Sequence, residues 1–191
     1  MKVRCVWSEF NEQETEYHDT EWGVPEHDDR KLFEFLILEG AQAGLSWDTI
    51  LKRRENYRKA FDDFDYNVVA GYNEEKIEEL LQDSGIIRNK LKVRSAVSNA
   101  KAFIEIRNEF GSFDKYLRSF LKDGKPIQNS WNLMSEIPGK TELSEKISKD
   151  MKKRGFNFVG PTIIYAFMQA VGMVNDHVTG CFRYQQCRDM Q

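Results

Sequence analysis

Helical punctuation constrains this chain more than any other feature. Between Asp28 and Gly172, apolar residues recur at helical spacing, and polar caps and glycines bracket each run. Asp28 or Asp29 can cap a helix whose inward stripe is Leu32, Phe35, Leu36 and, at the next step of the pattern, Glu39. Gly40 and Gly44 weaken that helix and end it. Ser46 opens another, with Ile50, Leu51, Arg54, Tyr57 and Phe61 along it, and Asn73 caps a third over 74–83 that stops at Gly85. A long helix over 88–110 ends at Gly111, and Ser112 opens a short one through Leu121. After a turn at Asp123-Gly124-Lys125-Pro126 the chain reads as irregular to Gly139. Thr141 to Arg154 is a polar helix closed by Gly155, and Pro161 opens an apolar one ending near Gly172. No segment alternates as a half-buried strand does. The expectation is an all-α fold of roughly eight helices. It forms a single domain over 1–191, without repeat or linker.

Composition bounds the function classes. With 40% hydrophobic and 13% aromatic residues the chain can build a real core, which excludes disorder. No apolar run approaches bilayer length, so no membrane role is expected. The start, Met1 to Trp7, lacks the apolar stretch of a secretion signal, which makes a cytoplasmic protein the expectation. Three cysteines do not make a disulfide framework; they read as thiols or metal ligands. A net charge of −3 argues against indiscriminate nucleic-acid binding but leaves room for a local patch.

Three constellations carry possible chemistry. The first is the turn between the last two helices, Lys152-Lys153-Arg154-Gly155-Phe156-Asn157-Phe158-Val159-Gly160-Pro161-Thr162. Amides at the start of the second helix favour a phosphate, and the upstream cations add positive charge. This reads either as a helix–hairpin–helix clamp on a DNA backbone or as an ordinary helical hairpin with a solvated basic end. A second basic cluster, Arg88, Lys90, Lys92 and Arg94, reads as a solvated helix face.

The second constellation is Cys5, His18, His177 and Cys181, a donor set that tetrahedral zinc takes in structural sites. An ion there would staple the two ends of the chain together and leave no open position for water. The bland alternative is two buried thiols and two hydrogen-bonded histidines. His27 and Cys187 are spare, and Cys187 is a possible substitute for Cys181.

The third is Glu39, in register with Leu32, Phe35 and Leu36 on the face a helix normally buries. A buried carboxylate is costly without a donor or cation. With Tyr17, Trp22 and Trp47 converging on it, it would suit a planar cationic or hydrogen-bond-donating ligand such as a purine. The alternative leaves Glu39 at the rim of the stripe and puts the tryptophans in the core. Trp7 is a weaker pocket candidate, and Trp131 reads as packing.

Three longer motifs occur in order: Tyr17-His18-Asp19-Thr20-Glu21-Trp22-Gly23-Val24-Pro25, then Leu38-Glu39-Gly40 to Gly44-Leu45-Ser46-Trp47, then Gly155 to Thr162 with Val174-Asn175-Asp176-His177. Over nearly its whole length the chain resembles the bacterial 3-methyladenine DNA glycosylase type I family. The resemblance implies a helix–hairpin–helix glycosylase fold and a structural Zn²⁺ held by Cys5, His18, His177 and Cys181. It implies that Glu39 contacts the excised base, that Tyr17 and Trp47 stack beside it, and that Trp7 and Trp22 support the wall. Gly44 and Leu45 would enter the gap left by the flipped nucleotide. Gly155, Val159, Gly160 and Thr162 would meet the DNA backbone. Many members of the wider superfamily carry Val-Asp-Thr-His with a catalytic Asp where this chain has Asn175, and a lyase Lys where it has Thr162.

The resulting expectation is a monomeric, monofunctional enzyme acting on alkylated double-stranded DNA. It would flip out 3-methyladenine, sandwich it between Tyr17 and Trp47 with Glu39 at its edge, release the free base and leave an abasic site in an intact strand. The competing expectation is a zinc-containing module that binds or senses alkylated DNA without turnover.

Overall fold

The computed structural model describes residues 2–190. Eleven α-helices lie among the described residues: α1 Glu12–Thr20, α2 Asp29–Gln42, α3 Trp47–Leu51, α4 Arg54–Ala60, α5 Tyr66–Ala70, α6 Glu74–Gln82, α7 Lys90–Phe110, α8 Phe113–Arg118, α9 Glu142–Lys153, α10 Pro161–Ala170 and α11 Phe182–Asp189. Among the described residues no helix is long and apolar enough to cross a membrane.

The caps read from the sequence do the capping. Side chains of Asp28, Ser46, Asn73, Ser112 and Thr141 each accept a bond from an amide of the first turn they precede. Helix α2 is the axle. From Leu32 to Ala41 every residue is buried, because α3, α7, α8 and α10 all pack on it. The stripe expected on one side is therefore one part of a helix covered all round. Gly40 does not end α2. A Cβ at Gly40 would lie 3.3 Å from Cβ of Phe158, so the glycine instead admits the α9–α10 turn against the helix.

Three differences from the sequence reading have local causes. The segment opened by Ser46 is two helices, α3 and α4, with a break at Lys52-Arg53. Beyond the break Arg54 turns inward. Its Nε donates to Glu34 at 2.6 Å, and its two terminal nitrogens clamp Glu21 at 2.7 and 2.8 Å. The ends of the chain carry α1 and α11, which apolar periodicity does not reveal. Their buried residues are Glu14, Tyr17 and His18, and Arg183 and Cys187. A short parallel pair also forms, β1 (Ile127–Gln128) beside β2 (Val174–Asn175). It is too short to show any alternation.

Helices α9 and α10 are joined by a short turn and pack on each other. Gly155 takes φ +93° and Phe158 φ +54° in the connecting turn. Asn99 of α7 holds that turn: its side chain accepts from the Asn157 amide at 2.8 Å and donates to the Asn157 carbonyl at 3.0 Å. Ser148 donates to the Val159 carbonyl at 2.6 Å.

Candidate active site

Helix α1, the C-terminal half of α2 and helix α10 enclose a cleft of about 340 Å³, within the range of small-ligand pockets. Trp7, Tyr17, Trp22 and Trp47 line it with Glu39, Gln42, Met134, Ala166 and Gln169. The burial argument for Glu39 therefore holds: it is 4% exposed and faces the cleft. Among the described residues its Oε2 has no hydrogen-bond partner, and neither has the buried Nε1 of Trp47. Unpartnered buried polar atoms are rare, and two at one cleft point to a ligand that supplies their partners. Burial pushes the Glu39 carboxyl up to about 8. The Tyr17 phenol is raised well above its ordinary value, first by burial and then by the neighbouring Glu39.

The rings are arranged differently from the expected sandwich. Tyr17 and Trp47 lie 5.3 Å apart at 47°. A flat base between two rings needs two van der Waals spacings, about 7 Å. Tyr17 and Trp47 therefore form one continuous wall rather than two slices. Trp7 meets Trp22 edge-on at 5.1 Å and Tyr17 at 6.2 Å, extending that wall.

At the mouth, a second hollow is lined by Glu39, Gln42, Ala43, Gly44, Leu45, Thr162, Ile163 and Ala166. It shares Glu39, Gln42 and Ala166 with the first, so cleft and mouth are continuous. Gly44 takes φ +78°, and Leu45 is 41% exposed, an apolar side chain held out to solvent. Sequence reading missed what fixes this loop. Lys92 donates to the carbonyls of Ala41 and Ala43 at 2.8 and 2.6 Å, tying down the open C-terminus of α2. The other cations of that cluster are ordinary surface groups: Arg94 pairs with Glu74, and Lys90 lies 3.8 Å from Glu78.

Gly155 and Thr162 of the hairpin are exposed and Gly160 is half-buried, and Thr162 lines the same hollow as Gly44 and Leu45. The Val159 side chain is buried and its carbonyl accepts from Ser148, while among the described residues its amide makes no backbone bond. Arg154 is not available to a phosphate. It pairs with Glu109 and Asp150 and lies over the rings of Phe110 and Tyr116. Lys152 and Lys153 remain exposed.

Behind the Trp22 side of the cleft, Cys5, His18, His177 and Cys181 bring one donor atom each within 4.8 Å of one another, all buried. Cys181 Sγ lies 3.4 Å from Nε2 of His18 and 3.6 Å from Nδ1 of His177; Cys5 Sγ lies 3.7 Å from that same Nδ1. The opposite ring nitrogens are already engaged. His18 Nδ1 meets Asp19 at 2.9 Å, and His177 Nε2 meets the Trp22 carbonyl at 2.9 Å. Arg4 bonds Asp19 in turn and holds its carboxyl down to about 2. Two imidazoles oriented from behind, with their other nitrogens turned toward two thiols, are the donor set and outer support that a tetrahedral ion requires. The Cys181 thiol lies far below its ordinary value, because Cys5 donates to it and then because of the two imidazoles. Gly23 makes room for His177: a Cβ there would lie 3.0 Å from its Nε2. Cys187 is buried but outside the cluster, and His27 is a surface group between Asp114 and Arg118.

Asn175 is fully buried and structural. Its amide donates to Gln128 at 2.9 Å and to the Tyr184 carbonyl at 3.0 Å. The adjacent Asp176 accepts from four side chains: Tyr165, Gln169, Asn129 and Trp131. Trp131 is thus a hydrogen-bond donor as well as a packing residue.

Relatives share this architecture. The chain is 49% identical to DNA-3-methyladenine glycosylase 1 of Escherichia coli, over 95% of this chain and 96% of that one. It is 45% identical to DNA-3-methyladenine glycosylase of Haemophilus influenzae, over 95% and 97%. A crystal structure of 3-methyladenine DNA glycosylase I superposes with a TM-score of 0.91 at 50% identity, covering 94% of this chain and 98% of that one. The Staphylococcus aureus enzyme, solved to explain its 3-methyladenine recognition, superposes at 0.90 with 34% identity, over 94% and 95%. The sequence model of the methyladenine glycosylase family matches residues 7–184, and the chain belongs to that family.

Proposed function

We propose that the protein hydrolyses the N-glycosidic bond of 3-methyladenine in alkylated duplex DNA, releasing the free base and leaving an abasic site in an intact strand. The observation that carries this reading is Glu39, a buried carboxylate with an unpartnered oxygen at the floor of an aromatic cleft.

Methylation at N3 makes the purine formally cationic, so the base leaves as a neutral molecule and needs little acid or base assistance. The structural engagement of Asn175 is compatible with such a reaction. The protein's own work is to extract and hold the lesion. In the free protein burial raises the Glu39 carboxyl to about 8, which favours its protonated form. A cationic base entering the cleft brings the charge that favours the carboxylate, so Glu39 ionises against it. Normal adenine brings no charge and gains nothing equivalent, and this difference is the discrimination. The wall of Tyr17 and Trp47, continued by Trp22 and Trp7, supplies stacking area for the extruded ring. Gly44 and Leu45 would fill the gap left in the duplex. The amides of Val159, Gly160 and Thr162 at the start of α10 would hold a phosphate, making α9–α10 a helix–hairpin–helix clamp.

Cys5, His18, His177 and Cys181 would hold Zn²⁺ in a closed structural site. When bound, the ion supplies cross-linking between the two ends of the chain rather than chemistry.

Incubation with randomly methylated duplex DNA tests the reading, with chromatography of released bases and a strand-integrity gel. Free 3-methyladenine with uncut strands is expected. A folded sample that binds the methylated duplex and releases no base would transfer the conclusion to the lesion-sensing alternative.

A further inference from the structure

Among the described residues Gln169 is the one cleft-lining side chain tied to Asp176. Its Nε2 donates to Asp176 at 2.8 Å. Asp176 is 1% exposed, and its other partners are Asn129 at 2.7 Å, Trp131 Nε1 at 2.7 Å and Tyr165 at 2.5 Å. All four groups arrive as donors, so the carboxylate can only accept. An amide facing such an acceptor has one orientation: the NH₂ goes to Asp176, and the carbonyl is what remains for the cleft. Among the described residues nothing donates to Gln169 Oε1, and the backbone beneath it is fixed, since the Gln169 carbonyl accepts from Gly23 at 3.0 Å. The same Asp176 also anchors, through Asn129 and Trp131, the stretch that carries Met134 into the cleft.

With Glu39 ionised against a cationic base, the cleft holds two acceptors, the Glu39 carboxylate and the Gln169 carbonyl, and one buried unpartnered donor, Trp47 Nε1. An adenine edge has the complementary pattern, an exocyclic NH₂ flanked by the ring acceptors N1 and N7. A guanine edge turns its O6 acceptor toward the same place and meets an acceptor. We infer that Gln169 is a second specificity-determining residue. Its carbonyl, oriented by Asp176, takes the amino proton of the flipped base that Glu39 does not, and it selects 6-amino over 6-oxo methylpurines. This rests on the proposed base-binding role of the cleft.

The test is binding of free 3-methyladenine and free 3-methylguanine, followed by tryptophan fluorescence, with excision of both bases from methylated DNA measured in parallel. The variants are Gln169→Met, which keeps length and removes the acceptor, and Asp176→Asn, which releases the amide to rotate. Gln169 is half-buried with a single side-chain bond, so Gln169→Met is expected to fold, and circular dichroism checks both proteins. Losing one neutral hydrogen bond predicts about a tenfold fall in 3-methyladenine affinity, with 3-methylguanine unchanged or improved. Asp176→Asn should lower the preference in the same direction, and the double variant should be no less selective than Gln169→Met alone. A Gln169→Met protein with wild-type preference would overturn the assignment. If instead the wild-type protein binds neither base, the base-binding reading itself has failed, and the two failures are told apart by that control.

Discussion

Replacing Glu39 by Gln should make the free protein more stable as pH rises and a poorer binder of its base. Wild-type Glu39 has no partner for Oε2 and is raised from 4.5 to about 8 by burial. A group raised on folding binds more protons in the native state. Its favourable contribution is complete below the unfolded value and is lost as pH climbs toward the folded one. At about 1.4 kcal/mol per unit, the whole span is roughly 5 kcal/mol, spread between pH 4.5 and 8. Gln cannot ionise, so the variant escapes this loss, although its buried NH₂ adds a constant penalty of about 1–3 kcal/mol at every pH. The diagnostic is thus the change in the gap between the two proteins, not its size at one pH. Thermal unfolding from pH 5 to 8.5 should show the variant's Tm gaining on wild type by about 10 °C, using about 2–4 °C per kcal/mol for a chain this long. Titrations elsewhere are common to both proteins and cancel. Parallel Tm profiles would refute the reasoning, since they would mean that Glu39 stays solvated or paired. The variant should also lose most of its preference for duplex carrying 3-methyladenine, whose base is cationic until it is released. A better-folded protein with an emptier function would identify the carboxylate as strain kept for the ligand.

Cys181→Ser should lose stoichiometric zinc by elemental analysis and unfold at lower temperature, whereas Cys187→Ser should keep full metal content. Lys92→Met leaves the Ala41 and Ala43 carbonyls without their donor and should cost about 1–3 kcal/mol in chemical denaturation, with weakened binding to duplex containing an abasic site. Leu45→Ala removes an exposed side chain, so stability should be unchanged. Excision from duplex should fall while free-base binding holds, and a loss of free-base binding would place Leu45 in the base pocket instead.

What the sequence disclosed and what it withheld follow from the kind of signal each residue gives. Glu39 was legible because a carboxylate stood where an apolar residue was due. The caps at Ser46, Asn73 and Thr141 were legible because short polar side chains before apolar runs have a local mechanism. Helices α1 and α11 were hidden because their buried sides mix Tyr17 and Cys187 with Glu14, His18 and Arg183 instead of repeating apolar residues at helical spacing. Arg54, Lys92 and Arg154 look alike in a sequence. One is buried between Glu21 and Glu34, one caps a helix, and one is neutralised by Glu109 and Asp150. Nothing local distinguishes them. Gln169 sat unremarked in an apolar helix because its meaning comes from Asp176, which in turn draws on Asn129 and Trp131 far upstream.

The meeting of the two ends has a kinetic consequence. Cys5 and Cys181 converge, and the Phe182 amide bonds the Val3 carbonyl, so the closure encircles nearly the whole described chain. Contacts that span so much sequence bear the largest loop-closure entropy and form once shorter-range packing has drawn their partners near. Helix pairs close in sequence, such as α9 with α10, need not wait for it. The aromatic wall comes from one side of this closure and Gln169 from the other. The cleft is therefore among the last features to assemble during folding and among the first to be lost when the ends part.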